Sequence, residues 1–389
     1  MDKIIQKTKN KSPNLEFYKT ISDKGDIYKK YNDFYLSEPF DVYKMESKET
    51  NEQNFLGGYI ATSNIETKNI DIYKIYSKDN IKLIYTIALG YKSINKIKYF
   101  YDSFHNIHYL TALIDDKSNI LIWKIKSEIE YDLIFNYQKI VSQGGYSMSR
   151  RPIMYSFYML LFNKENSLLI MIYNIQRGCC RRDTIIEKFD FINNQTLNSC
   201  SMMNRYYESF FKGISINIDG NDYLGILTAN DFILYNIFSE EFQNNKKEIN
   251  IIKGADCSEF IRNGINIKEN DKEDYLYYNI YYHDNDYIKN YMFKTNIKTN
   301  ENLFFQFDLG INKPITMIQW NKKYLLLFEL YGENIFLFNT KTFRIEKILD
   351  NDNGSVFGGK KLLINDNEEL LFIMTTDGNI DLWINKISN

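Results

Sequence analysis

The chain has 389 residues, of which 44% are hydrophobic and 25% charged, and its net charge is -2. That length can bury a large core, and near-neutral charge gives no global field to draw in nucleic acid or an anionic membrane. The 32 Tyr and 27 Phe favour strands, while only 4 Pro and 18 Gly leave the turns to Asn and Asp.

In chain order the first predicted element is a strand over residues 15–21. Four strands follow at 40–43, 58–62, 70–75 and 82–87, then four at 97–101, 109–114, 120–125 and 131–137. The pattern is clear again near the C-terminus, with strands at 315–320, 324–328, 334–338 and 343–349. A final set has strands at 362–364, 370–374 and 380–383, the last two joined by Thr376-Asp-Gly-Asn379. Asp-Gly between two apolar runs is a strong hairpin signal. Residues 193–208 and 240–259 are polar, lengthen the period, and read as insertion loops on one face.

One phrase, aliphatic–x–aliphatic–aromatic, orders these strands into repeats. It occurs as Ile70-Asp-Ile-Tyr73, Ile120-Leu-Ile-Trp123, Ile170-Met-Ile-Tyr173, Phe232-Ile-Leu-Tyr235, Ile335-Phe-Leu-Phe338 and Ile380-Asp-Leu-Trp383. A degenerate copy, Ile288-Lys-Asn-Tyr291, fills the long gap. The aromatics fall 45 to 62 residues apart. Four short antiparallel strands at such a period make one propeller blade. Too few residues follow Trp383 for a turn and a fourth strand, so the strand over 15–21 is expected to supply it. The expected fold is therefore all-β, a single domain over residues 1–389. It is a seven-bladed β-propeller closed by an N-terminal strand in the last blade.

Asp377-Gly-Asn-Ile-Asp-Leu-Trp383 resembles the repeat ending of WD40 proteins, and Ser118-Asn-Ile-Leu-Ile-Trp-Lys124 is a looser match. The family's Gly-His dipeptide is absent, and Lys124 and Ile384 stand where it has an Asp after the tryptophan. The resemblance implies a non-catalytic scaffold that binds other proteins within an intracellular complex. No cofactor, metal or nucleic acid is expected.

Motifs for chemistry are weak. Gly354-Ser-Val-Phe-Gly-Gly-Lys360 fits a phosphate-binding loop, but Lys361 replaces the metal-binding hydroxyl and a strand follows where a helix is needed. It reads as a Gly-rich loop between blades. His105 and His108 fall in an expected strand-to-strand loop with no further ligand at metal spacing. Asp350-Asn-Asp-Asn-Gly354 lacks the bidentate Glu of a calcium loop. Four Cys without regular spacing, no apolar leader and no run long enough to span a bilayer point to an intracellular protein, cytoplasmic or nuclear.

The arginines are the one uneven charge feature. The chain has 40 Lys but 8 Arg, and five of these are Arg150, Arg151, Arg177, Arg181 and Arg182. The last three are expected in one loop around Gly178-Cys-Cys180. The rigid guanidinium fork suits carboxylate and phosphate, so the cluster is the candidate anion or partner site. It also defines the alternative function, a phosphoinositide- or phosphate-binding propeller at a membrane surface. A plain solvated surface is the third reading.

Overall fold

Runs of Ile, Leu, Tyr and Phe fold as strands here because β-branched and aromatic residues suit a packed pleated surface, and many of the runs end in an Asn or Asp turn. The computed structural model describes residues 15–21, 40–45, 58–64, 67–90, 94–114, 119–138, 154–177, 181–203, 210–218, 221–228, 231–236, 238, 246–250, 260–270, 273–284, 287–299, 301–306, 315–321, 323–329, 332–350, 355–365, 368–375 and 379–385. Among the described residues the chain is all-β, built of four-stranded antiparallel sheets as a propeller is. No helix among them is long and apolar enough to cross a membrane.

The N-terminal strand is β1 (Leu15–Thr20). The first sheet is β2 (Phe40–Lys44), β3 (Gly58–Ser63), β4 (Ile70–Ile75) and β5 (Ile81–Ile87), in that order. The second is β6 (Ile94–Asp102), β7 (Ile107–Ile114), β8 (Asn119–Ser127) and β9 (Glu130–Gln138). The third is β10 (Met154–Phe162), β11 (Ser167–Arg177), β12 (Arg181–Asp190) and β13 (Gln195–Met203). The fourth is β14 (Phe210–Ile218), β15 (Asn221–Thr228), β16 (Asp231–Asn236) and β17 (Lys246–Asn250). The fifth is β18 (Phe260–Asn270), β19 (Glu273–Asp284), β20 (Tyr287–Asn296) and β21 (Asn302–Gln306). The sixth is β22 (Ile315–Gln319), β23 (Tyr324–Glu329), β24 (Asn334–Asn339) and β25 (Arg344–Asp350). The last holds β26 (Val356–Asn365), β27 (Glu368–Thr375) and β28 (Ile380–Asn385), and β1 is its fourth strand. β1 pairs antiparallel with β28, from Leu15 opposite Asn385 to Thr20 opposite Asp381, as the sequence led us to expect.

Second strands are buried on both faces and so read as unbroken apolar runs; every residue of β3 and of β23 is buried. Outer strands such as β5 are half-buried or exposed at all but one position and polar at intervals. Apolar clusters fill the seams between sheets. Tyr43, Tyr59 and Ile72 meet Ile97, Leu110 and Trp123 between the first and second sheets. Phe40, Ile60 and Ile75 meet Leu362, Phe372 and Leu382 between the first and the last.

Turns reuse one device. Asp102 Oδ1 accepts the amides of Phe104 (2.9 Å) and His105 (3.1 Å), and Asp190, Asn296 and Asn339 accept the amides two and three residues on in the same way. In three of these turns the residue before the next strand, Asn106, Asn194 or Phe343, has φ of 55°. Side-chain capping of a turn is what Asx residues do well, and it explains how so few glycines suffice.

The structure corrects three expectations. The tetrad Ile170–Tyr173 lies on β11, the second strand of its sheet, whereas its counterparts lie on third strands. The two insertion loops contain strands: β13 falls within 193–208 and β17 within 240–259. Both are outer strands, and their polar sequences, Gln-Thr-Leu-Asn-Ser and Lys-Lys-Glu-Ile-Asn, hide them from a search for apolar runs. The Gly-rich segment before Lys360 is part of β26, not a loop. A Cβ on Gly359 would sit 2.5 Å from the Phe328 ring of the neighbouring sheet, so glycine permits the close approach.

Candidate functional site

Arg150 and Arg151 lie outside the described residues, as do Cys179 and Cys180. Arg177 ends β11 and Arg181 opens β12, with Arg177 opposite Arg181 and Gln176 opposite Arg182 in the register. The three arginines therefore lie on paired strand ends and not in a long loop. Their hairpin joins the second and third strands of its sheet.

His105 and His108 do not converge on a metal. His105 lies in the β6–β7 turn with its Nδ1 2.7 Å from Oδ2 of the buried Asp102. His108 lies in β7, stacked against Tyr99 and Tyr101 at 5.6 and 4.5 Å. Among the described residues, no group of three or more His, Cys, Asp or Glu is placed to hold a metal ion. Of the calcium-like segment, Asp350 ends β25 and 351–354 lie outside the described residues.

Among the described residues, a tyrosine-lined seam runs between the first and second sheets. Tyr43 at the end of β2 stacks between Tyr59 of β3 (5.4 Å) and Tyr99 of β6 (4.2 Å). Its hydroxyl lies 3.3 Å from that of Tyr131 in β9, and Tyr131 in turn stacks on Tyr85 of β5 at 5.3 Å. Tyr99 bonds through its hydroxyl to His108 Nδ1. Tyr59 donates to Glu128 Oε1 at 2.8 Å, and Lys74 reaches the same oxygen at 2.5 Å. From this buried base the rings run out to solvent. Tyr101, stacked on His108, and Tyr76, whose ring centre lies 4.8 Å from Lys74 Nζ, are 41% and 51% exposed.

Burial raises Tyr43, Tyr59 and Tyr131 above the usual phenol range. It pushes Tyr131 up to about 12, against the Tyr43 hydrogen bond that lowers it. Tyr43 is raised well above the usual phenol range, first by burial and then by Tyr131. Tyr59 is raised by burial and then by its bond to Glu128. Neutral phenols are poor bases and nucleophiles, but they offer flat apolar faces and hydrogen-bond donors at low entropic cost. The arrangement suits recognition. The sequence carries no motif for it, and Tyr is no denser in the first two repeats than in residues 260–306.

The inner strands hold a second junction. Asp41 of β2 accepts the amide of Tyr99 in β6 (2.8 Å) and pairs with Lys360 of β26 (3.3 Å). One carboxylate thus touches three sheets. Along the first strands β2 lies beside β6, β6 beside β10, and so on through β14, β18 and β22 to β26, which lies beside β2.

No family model matches the chain, and no curated protein matches its sequence. Among solved structures, a chain in the crystal structure of a mitotic checkpoint complex is similar with a TM-score of 0.56. The match covers 97% of this chain and 97% of that one at 11% identity. At that identity the likeness is one of fold.

Proposed function

We propose that the chain is one WD40-like, seven-bladed β-propeller domain over residues 1–389, and that it serves as a non-catalytic scaffold in an intracellular complex. The ring is supported by the neighbour order of the first strands, which returns from β26 to β2, and by the β1–β28 pairing. The observation that carries the function is the tyrosine seam, where the buried rings continue through His108 to exposed Tyr101 and through Lys74 to exposed Tyr76. Tyr is enriched at protein interfaces because one side chain supplies both apolar area and a donor. That the similar solved chain comes from a multiprotein complex agrees with this reading. The test is affinity purification with mass spectrometry from the native organism, comparing wild type with a Tyr76→Ala/Tyr101→Ala variant. A folded variant that loses specific partners supports the reading; an unchanged partner set sinks it.

The second reading is anion binding through arginine, at a phosphoinositide surface or another phosphate. It is favoured by the register that sets Arg177 opposite Arg181 beside Arg182. Binding to phosphoinositide vesicles discriminates it from protein scaffolding.

A further inference from the structure

The outer strands of the sheets are not equally defended. An edge strand presents unpaired amides and carbonyls, and proteins blunt such edges with bulges or charge. Bulges or register breaks interrupt β1 between Phe17 and Lys19, β5 at Leu83 and Tyr85, and β9 at Leu133 and Phe135. The same holds for β13 between Thr196 and Asn198 and for β25 between Ile345 and Lys347. β17 pairs without a break but carries Lys246, Lys247 and Glu248.

β21 has neither defence. Its ladder with β20 runs unbroken from Thr295–Asn302 to Tyr291–Gln306. Its sequence, Asn302-Leu-Phe-Phe-Gln306, carries no charge. Leu303 is 57% exposed, while Phe305 packs on Phe338 and Phe343 of the sixth sheet at 6.0 and 6.3 Å. Leu303 and Phe305 share one face of the strand, held by the sixth sheet at Phe305 and exposed at Leu303, and among the described residues no further strand pairs with the outer edge of β21. Among the described outer strands this combination is unique to β21.

We propose that β21 is a strand-pairing interface for a second copy of this chain. An open strand edge is satisfied by another strand, because only an extended backbone matches its donors and acceptors. The residue order points to self-pairing. Read in either direction, β21 is amide, three apolar residues, amide. Antiparallel pairing of two copies about Phe304 sets amide residues against amide residues at the ends and apolar against apolar between them. No like charges meet. A two-fold axis requires this self-complementarity, and it also closes the assembly at two subunits. The two four-stranded sheets then become one eight-stranded sheet across the dimer.

The test uses the full chain in sedimentation equilibrium and hydrogen exchange. Wild type is expected to dimerise by roughly 100 μM, as a small interface allows. Leu303→Lys, a charge on the open edge, is expected to be monomeric at the same concentration. Leu133→Lys, on a bulged and already charged edge, is expected to dimerise like wild type. Exchange of the β21 amides is expected to slow about tenfold between dilute and concentrated wild type. This last measurement stands even where a variant fails to fold. A wild-type chain that stays monomeric, with concentration-independent exchange at β21, overturns the proposal and leaves the edge to an extended segment of another protein. A dimer unaffected by Leu303→Lys overturns it as well.

Discussion

The Thr20 hydroxyl donates to Oδ1 of Asp381 at 2.7 Å across 361 residues of chain. The same bond occurs in the first sheet, where Thr86 donates to Oδ1 of Asp71 at 2.9 Å. In both sheets the Asp follows the first residue of the tetrad on the third strand, and the Thr lies opposite it on the fourth. β1 is therefore the chemical equivalent of β5, although it comes from the other end of the chain. Asp71 has a second donor in Asn64 Nδ2 at 2.8 Å, so this buried carboxylate is a fixed acceptor in the sheet.

The first prediction concerns this strand. Deletion of residues 1–22 leaves β28 as an open edge and removes Leu15 from the seam with Trp320 and Trp383. The truncated chain is expected to aggregate and to melt well below wild type. Thr20→Val is expected to cost about 1.5–3 kcal/mol, the range for a hydrogen bond to a charged group. Urea unfolding measures the second effect; a truncated monomer with unchanged melting would refute the role of β1.

The second concerns the tetrad aromatics. Trp123 and Trp383 are 3% and 4% exposed and fill different seams. Either Trp→Ala change is expected to cost about 3–5 kcal/mol in denaturant unfolding. A cost below about 1 kcal/mol at both, the level of surface substitutions, means that the seams are not the core.

Glycines at the seams give the third. A Cβ on Gly359 meets Phe328, and one on Gly58 overlaps the Leu362 side chain. Gly359→Ala is expected to destabilise by about 1–3 kcal/mol through overpacking. Gly358, where a Cβ meets nothing within 4 Å, is the control. Equal effects at the two positions would make the close approach irrelevant.

The fourth is a pH dependence. Tyr131 is held at about 12 against an ordinary value of 10, and Tyr43 is likewise raised well above that ordinary value, in both cases first by burial. The folded state thus keeps protons that the unfolded chain releases. Their contribution to stability is complete below pH 10 and is lost as pH rises from 10 through 12 and beyond. Phenolate absorbance is expected to show a late, cooperative fraction that appears with unfolding. Titration of every tyrosine near 10 in a folded chain would contradict the buried seam.

The fifth separates the two functional readings. An Arg177→Ala/Arg181→Ala/Arg182→Ala variant is expected to keep the partners that depend on Tyr76 and Tyr101. If anion binding operates, vesicle binding by wild type weakens with salt and fails in both the Ala and the Lys variants, because Lys lacks the fork. Unchanged vesicle binding in the Ala variant returns the cluster to ordinary solvated surface.

Much of the fold was legible because apolar runs are cut at regular distances by Asn and Asp. The strands of the first, second, sixth and last sheets fall within three residues of their expected ends, apart from the early start of β26 at Val356. β1 was legible from the missing fourth strand after Trp383. The slip in the third sheet has a physical cause: β11 is buried on both sides, so its Leu-Leu-Ile-Met-Ile-Tyr satisfies the tetrad pattern by being apolar throughout. β13 and β17 were hidden by the polarity that outer strands need. Composition alone picked out the arginines, and only the register revealed that Arg177 faces Arg181. The tyrosine seam was not legible. Tyr43 and Tyr131 are 88 residues apart and meet only because two sheets stack.

The β1–β28 pairing also sets an order of events in time. β1 leaves the ribosome before the other described strands, and its partner leaves after them. At about 5–20 residues per second, the 361 residues between Thr20 and Asp381 take roughly 20–70 s to make. For that interval Leu-Glu-Phe-Tyr-Lys-Thr has no native partner. The last sheet is then completed only after all the other described strands have been made, and the earlier sheets must hold their shape on their own seams until it is.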